Sequence, residues 1–168
     1  MKRFYCLIVV LFVSGVASMA QDFSYESYPK KFELSLNGQL FTGDCGVMEF
    51  SGARLGYRFN PNWSLKAGYS VGLGSDWRTR RIDIADFGIS HISRNNMLKN
   101  FEVHTTFGAG YLWNRQGTAV SGKVLGMVDL ESRYYVSKNG YLGATMKAYV
   151  GNQYVQTSFL GLTWGIRF

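Results

Sequence analysis

Cysteine, proline and histidine are scarce in this chain of 168 residues, with two of each, and after residue 20 no stretch stays apolar for 18 residues. The last absence excludes a membrane-spanning helix, which needs roughly 20 apolar residues in succession. Cys6 lies in the leading segment, so the remainder holds Cys45 alone and closes no internal disulfide. Cys45 sits among Gly43, Asp44 and Gly46 with no histidine nearby in sequence. It reads as a loop residue rather than a nucleophile. Two scattered histidines and one loop cysteine give no metal-ligand spacing, so no metal and no cofactor is expected. Arginine-rich runs are missing too, and the formal charge of +7 is dispersed, which argues against direct nucleic acid binding.

The first residues are of another kind. Lys2 and Arg3 precede an apolar run from Phe4 to Val13, and Ser18, Met19 and Ala20 form a small-x-small cleavage site before Gln21. Residues 1–20 therefore read as a secretory signal, whose ten-residue apolar run is too short for an anchor. Its removal takes two positive charges with it. Residues 21–30 form a short N-terminal segment, and residues 31–168 carry the pattern described next.

What the chain has in quantity is glycine, twenty residues, and aromatic side chains, 16% of the sequence, at a mean hydropathy near zero. Apolar and polar residues alternate with a period of two from Lys31 to the end, the signature of strands. Eight segments can be counted. Phe32, Leu34, Leu36 and Leu40 oppose Glu33, Ser35, Asn37 and Gln39; Ala53, Leu55, Tyr57 and Phe59 oppose Arg54 and Arg58; Trp63, Leu65, Ala67, Tyr69, Val71 and Leu73 oppose Ser64, Lys66 and Ser70. The fourth is the least regular: Ala85, Phe87 and Ile89 share a face, whereas Ile82 and Ile84 fall on the other. A bulge or a late strand start is expected there. The remaining segments run through Phe101–Trp113, Val124–Val136, Leu142–Val150 and Leu160–Phe168 with the same period, although Met127 and Tyr135 fall on the polar face of the sixth.

Strands of this length suffice to cross a bilayer when tilted, provided that they close into a barrel that leaves no unpaired edge in lipid. The distribution of charge separates this reading from a soluble sandwich. Within the segments, Glu33, Arg54, Arg58, Lys66, Asp86, Glu102, Asp129, Glu131, Arg133, Lys147 and Arg167 all fall on the polar face, and the apolar face at membrane depth carries no charge. A sandwich would put its charged face in water. Aromatic residues near the segment ends, among them Trp63, Tyr57, Phe59, Trp113 and Phe168, suit the girdles at the two membrane interfaces. The expected fold is all-β: an eight-stranded antiparallel transmembrane β-barrel in an up-and-down meander.

The chain's last residues, with Trp164, Ile166 and Phe168 on the apolar face, resemble the C-terminal insertion signal of outer-membrane barrels. Residues 21–168 as a whole resemble the small OmpA/OmpX-like barrels. That resemblance implies residence in the bacterial outer membrane with both termini periplasmic, and insertion by the barrel-assembly machinery. Turns at residues 60–62, 93–97 and 137–139 would be periplasmic, and loops at 43–46, 74–80, 114–122 and 151–157 would face outward. Two shorter stretches, residues 79–87 and 129–137, resemble the conjugative-transposon TraO proteins. This second resemblance implies an accessory role in a DNA-transfer apparatus, with other envelope or conjugation proteins as partners.

An eight-stranded barrel is just wide enough for side chains to fill. The six basic and five acidic residues on the polar face should pair, with His104 among them, because an unpaired buried charge is costly; a plugged, non-conducting lumen follows. Small barrels that modify lipid A need a histidine beside a serine where the outer leaflet is within reach. His104 stands between Glu102 and Thr106, with no serine on that face of its strand, and His91 with Ser93 lies at the periplasmic end. The expectation is a non-enzymatic barrel with a structural or surface-docking role. Outer-membrane lipid and lipopolysaccharide are its expected partners, and Arg78, Arg80, Arg81, Arg115 and Lys123 in the outer loops are candidate contacts to lipopolysaccharide phosphates.

Overall fold

A computed structural model describes residues 30–43, 47–74, 80–94, 100–116, 119–151 and 154–168. The leading segment, Cys45 and Arg78 lie outside them. Eight antiparallel strands close into one barrel: β1 (Phe32–Gly43), β2 (Met48–Asn60), β3 (Trp63–Gly74), β4 (Arg80–Arg94), β5 (Phe101–Gln116), β6 (Ala119–Tyr135), β7 (Gly140–Gly151) and β8 (Tyr154–Arg167). Each strand pairs with its neighbours in sequence, and β1 pairs with β8. Among the described residues there is no helix.

Closure needs a stagger as well as a strand count, because the strands must tilt for their sheet to meet itself. Followed from partner to partner, the ladder that leaves β1 at Phe32 passes Tyr57, Leu65, Ile89, Phe107, Val128, Ala148 and Thr157. It returns to β1 at Thr42, ten residues further along. The seam is tied where the two ends of the barrel chain meet: Phe32 N donates to Phe168 O at 3.1 Å and Phe168 N to Phe32 O at 2.9 Å. We call this the terminal end and the opposite mouth the far end.

The described turns at the terminal end are tight for local reasons. Asn60 Oδ1 accepts from the Asn62 amide at 2.8 Å, and Ser137 Oγ from the Gly140 amide at 2.8 Å, side-chain bonds that reverse the chain within a few residues. At the far end the strands run on further than the alternation alone suggests. Arg80 and Arg81 stand in β4, Arg115 in β5 and Lys123 in β6 rather than in loops, and β8 already begins at Tyr154. Hairpin pairing continues as long as both strands can exchange backbone hydrogen bonds, whatever the side chains.

β4 needs no bulge and no late start. Its pairing with β3 and β5 is unbroken from Arg81 to His91, and Ile82 and Ile84 simply point inward. The irregularities lie elsewhere: at Arg58/Asn60, and in β8 opposite Leu40/Phe41 and Thr145/Lys147. Outward-facing apolar side chains are exposed all round the wall, Leu36, Leu55, Phe87, Phe107, Leu130 and Leu162 among them, while the charged side of every strand is buried.

Candidate functional site

The interior is the candidate site, and its residues come from alternate positions of all eight strands. Glycines make the room. A Cβ added at inward-facing Gly56 would collide with the Glu33 side chain, one at Gly72 with the Phe50 ring and one at Gly165 with the Tyr141 ring. Large side chains thus lie flat across the bare backbone of the next strand, which lets a narrow barrel hold long arginines and tyrosines at close packing.

From the terminal end upward, the first layer centres on Glu102. Arg58 grips it with two bonds of 3.2 and 2.9 Å, Arg94 Nε donates at 2.9 Å, Tyr135 Oη at 2.7 Å, and His104 Nε2 stands 3.0 Å away. The middle layer centres on Glu131, whose Oε2 receives Arg133 at 2.8 Å, Lys66 at 3.0 Å and Arg54 at 3.4 Å. Arg133 also forks onto Glu33 at 2.7 and 2.9 Å, and Arg54 reaches Asp129 at 2.8 Å. Thr145 Oγ1 donates to Asp129 at 2.5 Å. In the upper layer Asp86 Oδ2 accepts from Lys147 at 3.0 Å and Tyr149 Oη at 2.6 Å. Two guanidiniums lie over rings, Arg133 at 4.3 Å from the Tyr141 centroid and Arg167 at 5.2 Å from that of Tyr135. Two-pronged arginine–carboxylate pairs of this kind are the strong form of the interaction.

All twelve interior residues expected from the alternation, Glu33, Arg54, Arg58, Lys66, Asp86, Glu102, His104, Asp129, Glu131, Arg133, Lys147 and Arg167, are buried in this lumen. Folding adds serines to the same wall. Ser90 of β4 is buried there, but it accepts from Thr106 Oγ1 at 3.1 Å, and among the described contacts His104 faces Glu102. His91 and Ser93 sit 3.4 Å apart on the outer surface at the terminal end, with the His91 ring 4.8 Å from that of Trp63. No group of His, Cys, Asp and Glu among the described residues could hold a metal ion. Trp164, Ile166 and Phe168 face outward.

Two features are not foreseen by the alternation. The first is a charge on the outer wall: Asp83 points outward yet is only 1% exposed, held by Arg81 Nε at 2.8 Å. Tyr69, Tyr111 and Trp113 stand on neighbouring outward positions, and the last two rings meet edge to face at 4.7 Å. Of the candidate lipopolysaccharide contacts, Arg81 and Lys123 are exposed; Arg80 and Arg115 are placed through their backbone. The second is a plug at the far end of the lumen. Phe41, Met48, Phe50, Ile82, Ile84, Leu112, Leu125, Met127 and Tyr149 form one buried apolar cluster.

No family model and no curated protein matches the chain; solved structures do. The N-terminal β-barrel domain of Pseudomonas aeruginosa OprF is 12% identical over 83% of this chain and 98% of that one, with a TM-score of 0.64. The fold is that of small outer-membrane β-barrels. Neisserial surface protein A is 14% identical over 82% of this chain and 96% of its own, with a TM-score of 0.60. A de novo designed barrel, TMB2.3, is 19% identical over 85% and 98%, with a TM-score of 0.52. Likeness to a designed protein makes plain that this architecture brings no particular role with it. The OmpA/OmpX-like resemblance agrees with these neighbours in architecture, whereas the TraO resemblance finds no support; residues 80–87 and 129–135 of its two stretches lie in β4 and β6.

Proposed function

We propose that the chain is an integral barrel of a bacterial outer membrane, with both termini in the periplasm and a structural or surface-docking role that involves neither catalysis nor conduction. One observation carries this reading: the apolar side of every strand faces out, and the charged side is consumed in a filled, mutually paired interior. A barrel so built has its chemistry on its rims. His104 and Ser90 are buried completely, beyond the reach of a lipid substrate, and this supports a non-enzymatic role. The exposed Arg81, with Arg80, Arg115 and Lys123 at the same mouth, fits the phosphates of lipopolysaccharide as its lipid partner.

The test is membrane fractionation of the expressed chain together with heat-modifiable migration in detergent gels. An outer-membrane species that migrates differently before and after boiling is expected. A soluble periplasmic species would refute the proposal.

A further inference from the structure

Four strands change character along their inner face as they approach the far mouth. β1 passes from Glu33, Ser35 and Asn37 to Phe41. β2 passes from Arg58 and Arg54 to Phe50 and Met48, β5 from Glu102 and His104 to Leu112, and β6 from Arg133, Glu131 and Asp129 to Met127 and Leu125. The change falls at one level, so the apolar ends meet: the Phe41 ring lies 4.9 Å from Phe50 edge to face and 5.8 Å from Tyr149. Buried side-chain atoms without a protein partner lie mostly in the polar layers, Asn37 Oδ1, Ser64 Oγ, Arg54 Nη2, Arg58 Nε, Glu131 Oε1 and Arg133 Nε among them, while Gln39 Nε2 marks the boundary opposite Phe50. Polar atoms of that kind are met by water wherever it can enter, whereas an apolar cluster at close packing stays dry.

We infer that this apolar cap, and not the ion network beneath it, is the barrier that keeps water and ions from passing through the barrel. The inference rests on the reading of the chain as an integral barrel. A charged network offers water hydrogen-bond partners along its whole length and can rearrange around an ion. The aliphatic and phenyl side chains of the cap offer none, and its one hydroxyl, Tyr149 Oη, already donates to Asp86, so an ion crossing it must shed its hydration with little in exchange.

Planar-bilayer recording of the full chain tests this. Phe41→Ser with Phe50→Ser should give discrete conductance steps where the wild type gives none. Arg54→Met with Asp129→Leu removes a network pair beneath an intact cap and should stay as silent as the wild type. A cap variant that migrates as a folded barrel and yet stays closed overturns the inference, as does a network variant that opens. Leu112→Gln is the milder cap variant if the double serine variant does not fold. Ser70→Cys needs no cap substitution at all: with Cys45 replaced by Ser, this thiol at the cap's lower edge should resist a charged thiol reagent supplied from the far side, and rapid labelling from that side overturns the inference. Wild-type protein that neither inserts nor shows heat-modifiable migration would instead defeat the underlying barrel reading.

Discussion

Arg133 shows what a single residue does in this interior. It is fully buried, forks onto Glu33, touches Glu131 and lies over the Tyr141 ring. Replacing it with Met leaves the buried Glu33 without its two-pronged partner. Arg133→Met should therefore cost about 3–5 kcal/mol, read as a lower urea midpoint of the folded band. Adding Glu33→Leu should recover part of that loss, since the stranded charge goes with it. A loss no larger than the roughly 0–1 kcal/mol of an exposed pair would mean that the layer is open to solvent. That Arg133 faces inward beside Glu131 is legible from alternation; that its forked partner is Glu33, a hundred positions away, is not, because pairing across the lumen depends on the stagger of the closed sheet.

Single strands show how position along the wall sets the energetic stakes. On β6, Leu130 and Val124 both face outward, but Leu130 stands opposite Thr105 and Met146 in the body of the wall, whereas Val124 stands opposite Tyr111 near the far rim. Charge placed on a lipid-facing wall costs about 2–4 kcal/mol at mid-depth and about 0–1 near an interface. Leu130→Arg should therefore lower the urea midpoint and the yield of inserted barrel, and Val124→Arg should leave both close to wild type. Equal penalties at the two sites would mean that the apolar wall does not face a bilayer. Outward-facing Asp83 follows the same rule, since it stands at the far end of β4, paired with Arg81 and flanked by aromatic rings.

For the molecule as a whole, the interior and the rim should answer differently to salt. The Debye length falls from about 8 Å at physiological ionic strength to about 3 Å at 1 M, which weakens exposed contacts but hardly reaches pairs buried within the barrel. Raising NaCl should leave the urea midpoint of the folded barrel unchanged while lipopolysaccharide retained on purification declines. Replacing Arg78, Arg80 and Arg81 with Gln should lower that retention at low salt without impairing insertion. Unchanged retention in the triple variant would leave the rim arginines as ordinary solvated charge.

The sequence by itself determined the strand count, the faces and the sidedness of charge, because a period of two sorts side chains onto two surfaces before any tertiary contact exists. Phe41, Phe50, Ile82 and Ile84 fall on the polar side of that pattern, where they look like errors in it. Only closure makes sense of them: eight strands, staggered by ten residues, carry these positions and Leu112, Leu125 and Met127 to one level, where together they form a cap that no single strand encodes. Tertiary structure alone also decided which carboxylate each cation meets and which glycine yields to which ring. Distances across a lumen are set by the tilt and radius of the closed sheet, quantities that belong to all eight strands at once.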